Sequence, residues 1–138
     1  MIERMTSQKE IILKYLKSTT SHPSAEDIYL EVRKELPRIS LGTVYRILAT
    51  FKNKKKIIEI AHEVSRYDAN TDPHSHFICE SCDNIYDIEI PNFKKNINKR
   101  GHNKASCLKK IFGDFIKVGK INNYQIYFYG KCKKCSKK

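Results

Sequence analysis

The sequence predicts an α+β protein: an N-terminal winged helix-turn-helix domain followed by a small α/β domain with a four-cysteine zinc site. Three observations predict it. Three amphipathic stretches with helix-start signals precede two short strand-like runs within the first 68 residues. The rest of the chain alternates strand-like and helical pieces. Two identical cysteine pairs, Cys79-x-x-Cys82 and Cys132-x-x-Cys135, sit near the two ends of that second part.

The elements follow in order. Ser7-x-x-Glu10 has the pattern of a capping box leading into Ile11, Ile12, Leu13, Tyr15 and Leu16. Ser24-x-x-Asp27 opens a second helix, with Ile28, Val32 and Leu36 near helical spacing and Pro37 as the stop. Ser40 caps a third, whose inner face is Leu41, Val44, Ile47, Leu48 and Phe51. Lys56–Ala61 and Ser65–Asp68 read as a hairpin, with His62 at the surface of its turn. Three helices and a hairpin, joined by short connections, give the order of a winged helix, so residues 1–68 form the DNA-binding domain. Residues 69–76 are polar, contain Pro73 and read as a hinge carrying metal ligands. Residues 77–138 form the α/β domain: Phe77–Cys79 and Ile85–Ile90 as strands, a helix after Pro91, and a Tyr-rich strand at Tyr124–Tyr129. The basic stretch 94–110, which includes His102 and Cys107, has no clear periodicity and receives no assignment, and both residues read as incidental.

Composition sets bounds on function. In 138 residues, 40% hydrophobic content makes a thin core, which fits a fold that borrows stability from a metal. No apolar run approaches the ~20 residues of a membrane span. Nothing at the N-terminus resembles a secretory signal, so the expectation is a cytoplasmic protein without membrane contact. The net charge of +12, from 27 Lys and Arg against 15 Asp and Glu, favours a polyanionic partner. Lys52, Lys54, Lys55 and Lys56 directly follow the third helix, where they would meet a phosphate backbone; Lys133, Lys134, Lys137 and Lys138 read as solubility charges.

Within the third helix, Thr43, Tyr45 and Arg46 are left outward when Leu41 and Val44 turn in. Arg46 suits a guanine edge, Tyr45 a thymine methyl or phosphate, and the hydroxyls of Ser40 and Thr43 suit phosphates. These four are the candidate DNA contacts.

Two C-x-x-C turns supply four thiolates for a tetrahedral Zn²⁺ site, so Cys79, Cys82, Cys132 and Cys135 are the candidate structural ligands. A disulfide framework is the weaker reading, because the repeated C-x-x-C is a metal spacing and no secretory signal is visible. A second donor set is nitrogen and oxygen: His74-x-His76 on an extended segment, with Asp68 upstream, Asp87 downstream and His22 before the second helix. That chemistry suits Fe²⁺, Mn²⁺ or Zn²⁺. One ion taking all five would join the two domains at one angle and act as a ligand-gated switch.

These residues resemble a known family. His22-Pro23-Ser24-Ala25-Glu26-Asp27-Ile28-Tyr29, the stretch Ile39–Leu48, Arg66-Tyr67-Asp68, His74-Ser75-His76-Phe77-Ile78-Cys79 and Tyr129-Gly130-x-Cys132-x-x-Cys135 are similar to the ferric uptake regulator (Fur) family of bacterial metalloregulators. The resemblance implies a homodimer joined through the second domain, one structural zinc per subunit, and metal-dependent binding to a palindromic operator in double-stranded DNA. Asp at both carboxylate positions, Asp68 and Asp87, resembles the peroxide-responsive repressors (PerR) of that family. That branch implies a regulatory Fe²⁺ that reacts with peroxide and leaves an added oxygen on His22 or His74, with loss of DNA binding; the Mn²⁺ form would repress without sensing. An iron-responsive regulator, or a manganese- or zinc-responsive one, is the alternative within the family. An enzyme is not expected: a zinc deaminase needs His-x-Glu where this chain has His74-x-His76, and no general base is visible.

Overall fold

In the computed structural model, the first helix, α1 (Ser7–Ser18), starts from Thr6 rather than Ser7. Thr6 has the extended backbone of an N-cap, and its hydroxyl accepts from the Lys9 N–H at 3.3 Å. With the cap at Thr6, Lys9 takes the third helical position, so the box expected between Ser7 and Glu10 does not form. The structure describes residues 5–60, 63–72, 74–88 and 125–137. The chain divides into two units, Met1–Asp72 and Pro73–Lys138. The helix expected after Pro91, the stretch 94–110, His62, His102 and Cys107 lie outside the described residues.

In the first unit, α2 (Ala25–Val32) opens with the complete capping box: Ser24 Oγ accepts from the Asp27 N–H, and the Asp27 carboxylate accepts from the Ser24 N–H at 3.0 Å. It ends at Val32, earlier than the expectation that ran to Pro37. The N–H groups of Glu35 and Leu36 both turn back onto the Val32 carbonyl, so Leu36 packs on the core from a turn rather than from the helix. Helix α3 (Leu41–Asn53) is capped by Ser40. Its Val44, Ile47, Leu48 and Phe51 are buried as their spacing predicts, whereas Leu41, expected inward, is half-buried because it opens the helix with no preceding turn to seat it. These four side chains meet Ile12 and Leu16 of α1 and Ile28 and Val32 of α2 in one cluster. Each such burial contributes about 1.5–3 kcal/mol. Strands β1 (Ile58–Ile60) and β2 (Arg66–Asp68) pair antiparallel, Ile60 opposite Arg66 and Ile58 opposite Asp68, and Tyr67 closes the core.

In the second unit, β3 (Ser75–Cys79) is central, antiparallel to β4 (Ile85–Ile88) and parallel to β5 (Ile126–Gly130). The strand starts two residues earlier than the expected Phe77, so Ser75 and His76 pair into the sheet instead of lying in a hinge. Gly130 faces Cys79 in the β3–β5 pairing, and a Cβ there would sit 3.3 Å from the Phe77 ring. A short helix, α4 (Lys133–Ser136), follows. Among the described residues, no helix is long and apolar enough to cross a membrane.

Candidate metal centres and nucleic-acid face

The four cysteines converge within the second unit. Their sulfurs all lie within 4.8 Å of one another, and none is in a disulfide. The first pair sits on a turn after β3: the Asp83 N–H bonds the Cys79 carbonyl at 2.9 Å, and Asp83 takes the left-handed backbone (φ 59°) that closes the turn. The second pair is delivered by β5 and α4, with Cys132 at the helix N-cap and Cys135 one turn along. The Cys132 N–H donates to Cys79 Sγ at 3.3 Å; that bond, aided by the N–H groups of Cys82 and Ser81, holds the Cys79 thiol down at about 6. Hydrogen bonding to the Cys132 and Cys82 sulfurs, together with burial, pushes Cys135 up to about 12. Sulfurs this close ionise at one another's expense, and a divalent cation is what lets all four be thiolates. The donor set suits tetrahedral Zn²⁺.

The nitrogen and oxygen donors form one group in each unit. In the first, His22 Nε2 lies 3.4 Å from Asp68 Oδ2, and both residues are buried. Residues 22–24 run alongside β2: the Tyr67 N–H bonds the Pro23 carbonyl at 3.0 Å, and Ser24 bridges Arg66 antiparallel. The Asn70 N–H occupies Asp68 Oδ1 at 2.8 Å, which fixes Oδ2 toward the imidazole.

In the second unit, His74 Nε2 and His76 Nε2 lie 3.3 Å and 3.4 Å from the same oxygen, Asp87 Oδ1. The β3–β4 register sets His76 opposite Asp87, and His74, two residues upstream, turns to the same side as the alternation predicts. The two rings meet edge to face at 4.3 Å. His76 is fully buried and stacks on Tyr127 of β5 at 5.8 Å. Tyr127 is a contributor that sequence reasoning missed; only the parallel pairing of β3 with β5, about fifty residues further on, brings it there. By strand alternation His76 and Cys79 occupy opposite faces of β3, so one five-residue strand serves both donor sets.

On α3, Tyr45 and Arg46 are exposed, as expected. The Tyr45 hydroxyl donates to the Glu26 carboxylate of α2 at 3.0 Å, and this bond raises its pKa. Glu26 is a second residue that the reading missed; it stood in the matched motif with no partner visible. Ser40 and Thr43 share a hydroxyl–hydroxyl contact at 2.9 Å while Ser40 caps the helix. Of the lysines at the end of α3 and just after it, Lys52 pairs with Glu59 of β1 and so ties the helix to the wing, and Lys56 lies over the Phe51 ring.

Comparison with known proteins extends this picture. Residues 3–111 match the ferric uptake regulator family. The chain is 34% identical over 137 residues to the peroxide-responsive repressor PerR of Staphylococcus aureus, an alignment that covers 98% of this chain and 84% of that protein. Its structure is similar to that of the Campylobacter jejuni peroxide stress regulator, with a TM-score of 0.70, 32% identity, and coverage of 93% of this chain and 88% of that one. The Helicobacter pylori ferric uptake regulator shares the fold at a TM-score of 0.73 and 22% identity, over 96% of this chain and 82% of that one.

Proposed function

This chain belongs to the ferric uptake regulator family, and from that premise we propose that it is a metal-dependent DNA-binding transcriptional repressor that senses peroxide through oxidation of its own histidines. It acts in the cytoplasm as a homodimer on a palindromic operator in double-stranded DNA. Residues 1–68 read the DNA and residues 77–138 hold the subunits together. In this reading Cys79, Cys82, Cys132 and Cys135 bind one structural Zn²⁺ that clamps the segment after β5 to β3. Its role is regulation rather than enzymatic turnover.

The observation that carries this reading is the division of the nitrogen and oxygen donors. The first unit holds two, His22 and Asp68, with Nε2 turned to a carboxylate oxygen. The second holds three, His74, His76 and Asp87, with both Nε2 atoms turned to one oxygen. Two or three ligands make an incomplete set for Fe²⁺ or Mn²⁺, and five make a nearly complete one. A cation that takes all five favours whichever conformation brings the units together, and its differential affinity for that conformation is the switch. Ser40, Thr43, Tyr45 and Arg46 then meet the operator. Bound Fe²⁺ supplies one-electron reducing power toward peroxide. His22 and His74 present their imidazoles there, and oxygen added to either ring lowers its ability to hold the cation.

The test is to load the protein with Fe²⁺, add stoichiometric peroxide and weigh tryptic peptides. The expected result is a one-oxygen gain on the peptide of residues 18–33, which carries His22, or on that of residues 67–94, which carries His74. The Mn²⁺-loaded protein should show none. Reversible metal-dependent DNA binding with no such mass gain would instead assign the chain to the iron-, manganese- or zinc-responsive regulators.

A further inference from the structure

We propose that Arg66 is the positioning residue of the His22–Asp68 half-site, an inference that rests on the regulatory-metal reading above. His22 is placed by its backbone rather than by its own element. It lies in the loop before α2 with φ at 52°, a left-handed conformation that is uncommon for a non-glycine residue. The following residue is Pro23, which narrows the backbone choices at His22 further. Arg66 Nη1 donates to the His22 carbonyl at 3.1 Å in a part-buried setting. The same residue bridges Ser24 through its backbone, and the next residue, Tyr67, donates its N–H to the Pro23 carbonyl. Arg66 therefore grips the loop on both sides of the proline.

The grip aligns two donors at once. Asp68 is two residues beyond Arg66 on β2, so the strand that holds the loop also carries the carboxylate. With Asp68 Oδ1 occupied by Asn70, the remaining oxygen and His22 Nε2 keep a fixed spacing of 3.4 Å. Arg66 also faces Ile60 in the β1–β2 pairing, so the half-site is continuous with the wing. A side chain that orients a ligand through its main chain acts as an outer-shell partner, and loss of such partners typically lowers metal affinity about 10- to 100-fold.

The experiment titrates Mn²⁺ into full-length, zinc-containing protein and reads free Mn²⁺ by its electron paramagnetic resonance signal. Wild type, Arg66→Met, Arg66→Lys and His22→Ala are compared, with zinc content and far-UV circular dichroism measured for each. Arg66→Met should bind Mn²⁺ about 10- to 100-fold more weakly, and Arg66→Lys, which keeps one charged donor, should recover part of the loss. Zinc and helix content should match wild type. If Arg66→Met does not fold, Arg66→Gln, which keeps an uncharged N–H donor, carries the same comparison. Wild-type Mn²⁺ affinity in the Met or Gln variant, with His22→Ala still defective, overturns the positioning role alone. Equal losses in Met and Lys accompanied by lost helix content would assign Arg66 to folding and also overturn it. Wild-type protein that takes up no Mn²⁺, indistinguishable from His22→Ala, would sink the metal reading itself and the proposal with it.

Discussion

The backbone N–H of Cys132 donates to Sγ of Cys79 at 3.3 Å, joining residues 53 apart in sequence. That bond favours the Cys79 thiolate before any metal arrives, so the sulfur centre is organised by main chain as well as by its ligands. Cys132 also occupies the N-cap position of α4 and is buried, which makes it the pivot of the second C-x-x-C turn.

Cys132→Ser should therefore release zinc and unfold or monomerise the chain. A hydroxyl replaces a soft thiolate, and apparent zinc-binding free energies of about 10–16 kcal/mol in small cysteine sites are coupled to folding. A few kcal/mol of that loss lowers the melting temperature by at least ~10 °C in a domain of this size. Zinc analysis with size-exclusion chromatography checks it; an intact, zinc-free dimer would contradict the assignment.

Arg46→Ala and Lys54→Ala should separate base reading from phosphate contact. Arg46 is exposed on α3 and Lys54 lies at its C-cap. Loss of a bidentate base contact costs about 1–3 kcal/mol and relaxes discrimination at one operator position. Loss of one phosphate contact weakens all sequences alike and reduces the salt slope by about 1. Operator titrations at several salt concentrations distinguish the two; identical behaviour of both variants would remove Arg46 from the base contacts.

Glu59→Gln should flatten the acid side of the stability profile. Hydrogen bonds from the Lys52 ammonium and the Ser65 hydroxyl hold the Glu59 carboxyl below its usual range. A group whose folded pKa is depressed stabilises the fold above its unfolded value, and that contribution disappears as pH falls through the folded value. The pair is partly solvated, so the loss at neutral pH should stay below about 1 kcal/mol. Thermal melts of both proteins from about pH 7 to pH 3 should converge at the acid end; a constant gap would exclude the linkage.

Local signals in the chain were legible where one residue type and one spacing decide the structure. Ser24 and Asp27 open the second helix as expected, and they do so through a capping box whose two partners lie within four residues. Val44, Ile47, Leu48 and Phe51 of α3 are buried because 3.6-residue periodicity fixes their side. Errors fell at element ends. Thr6 and Ser7 are chemically equivalent caps, and backbone geometry chose between them. The exit of α2 depended on where Leu36 found the core, which is a tertiary matter. The roles of Arg66, Glu26 and Tyr127 were not legible, because each acts on a residue far along the chain through a pairing that periodicity does not encode.

By itself, the sequence determined the family, the kinds of donor atoms and their grouping by chemistry: sulfur in two turns, nitrogen and oxygen elsewhere. Residue type and short-range spacing suffice for that, since coordination chemistry belongs to the side chain. Only the tertiary structure decided the directions. The parallel pairing of β5 with β3 brings Cys132 to Cys79, and the run of residues 22–24 along β2 turns His22 toward Asp68. Both are long-range contacts, fixed by backbone hydrogen bonds whose partners no local pattern names.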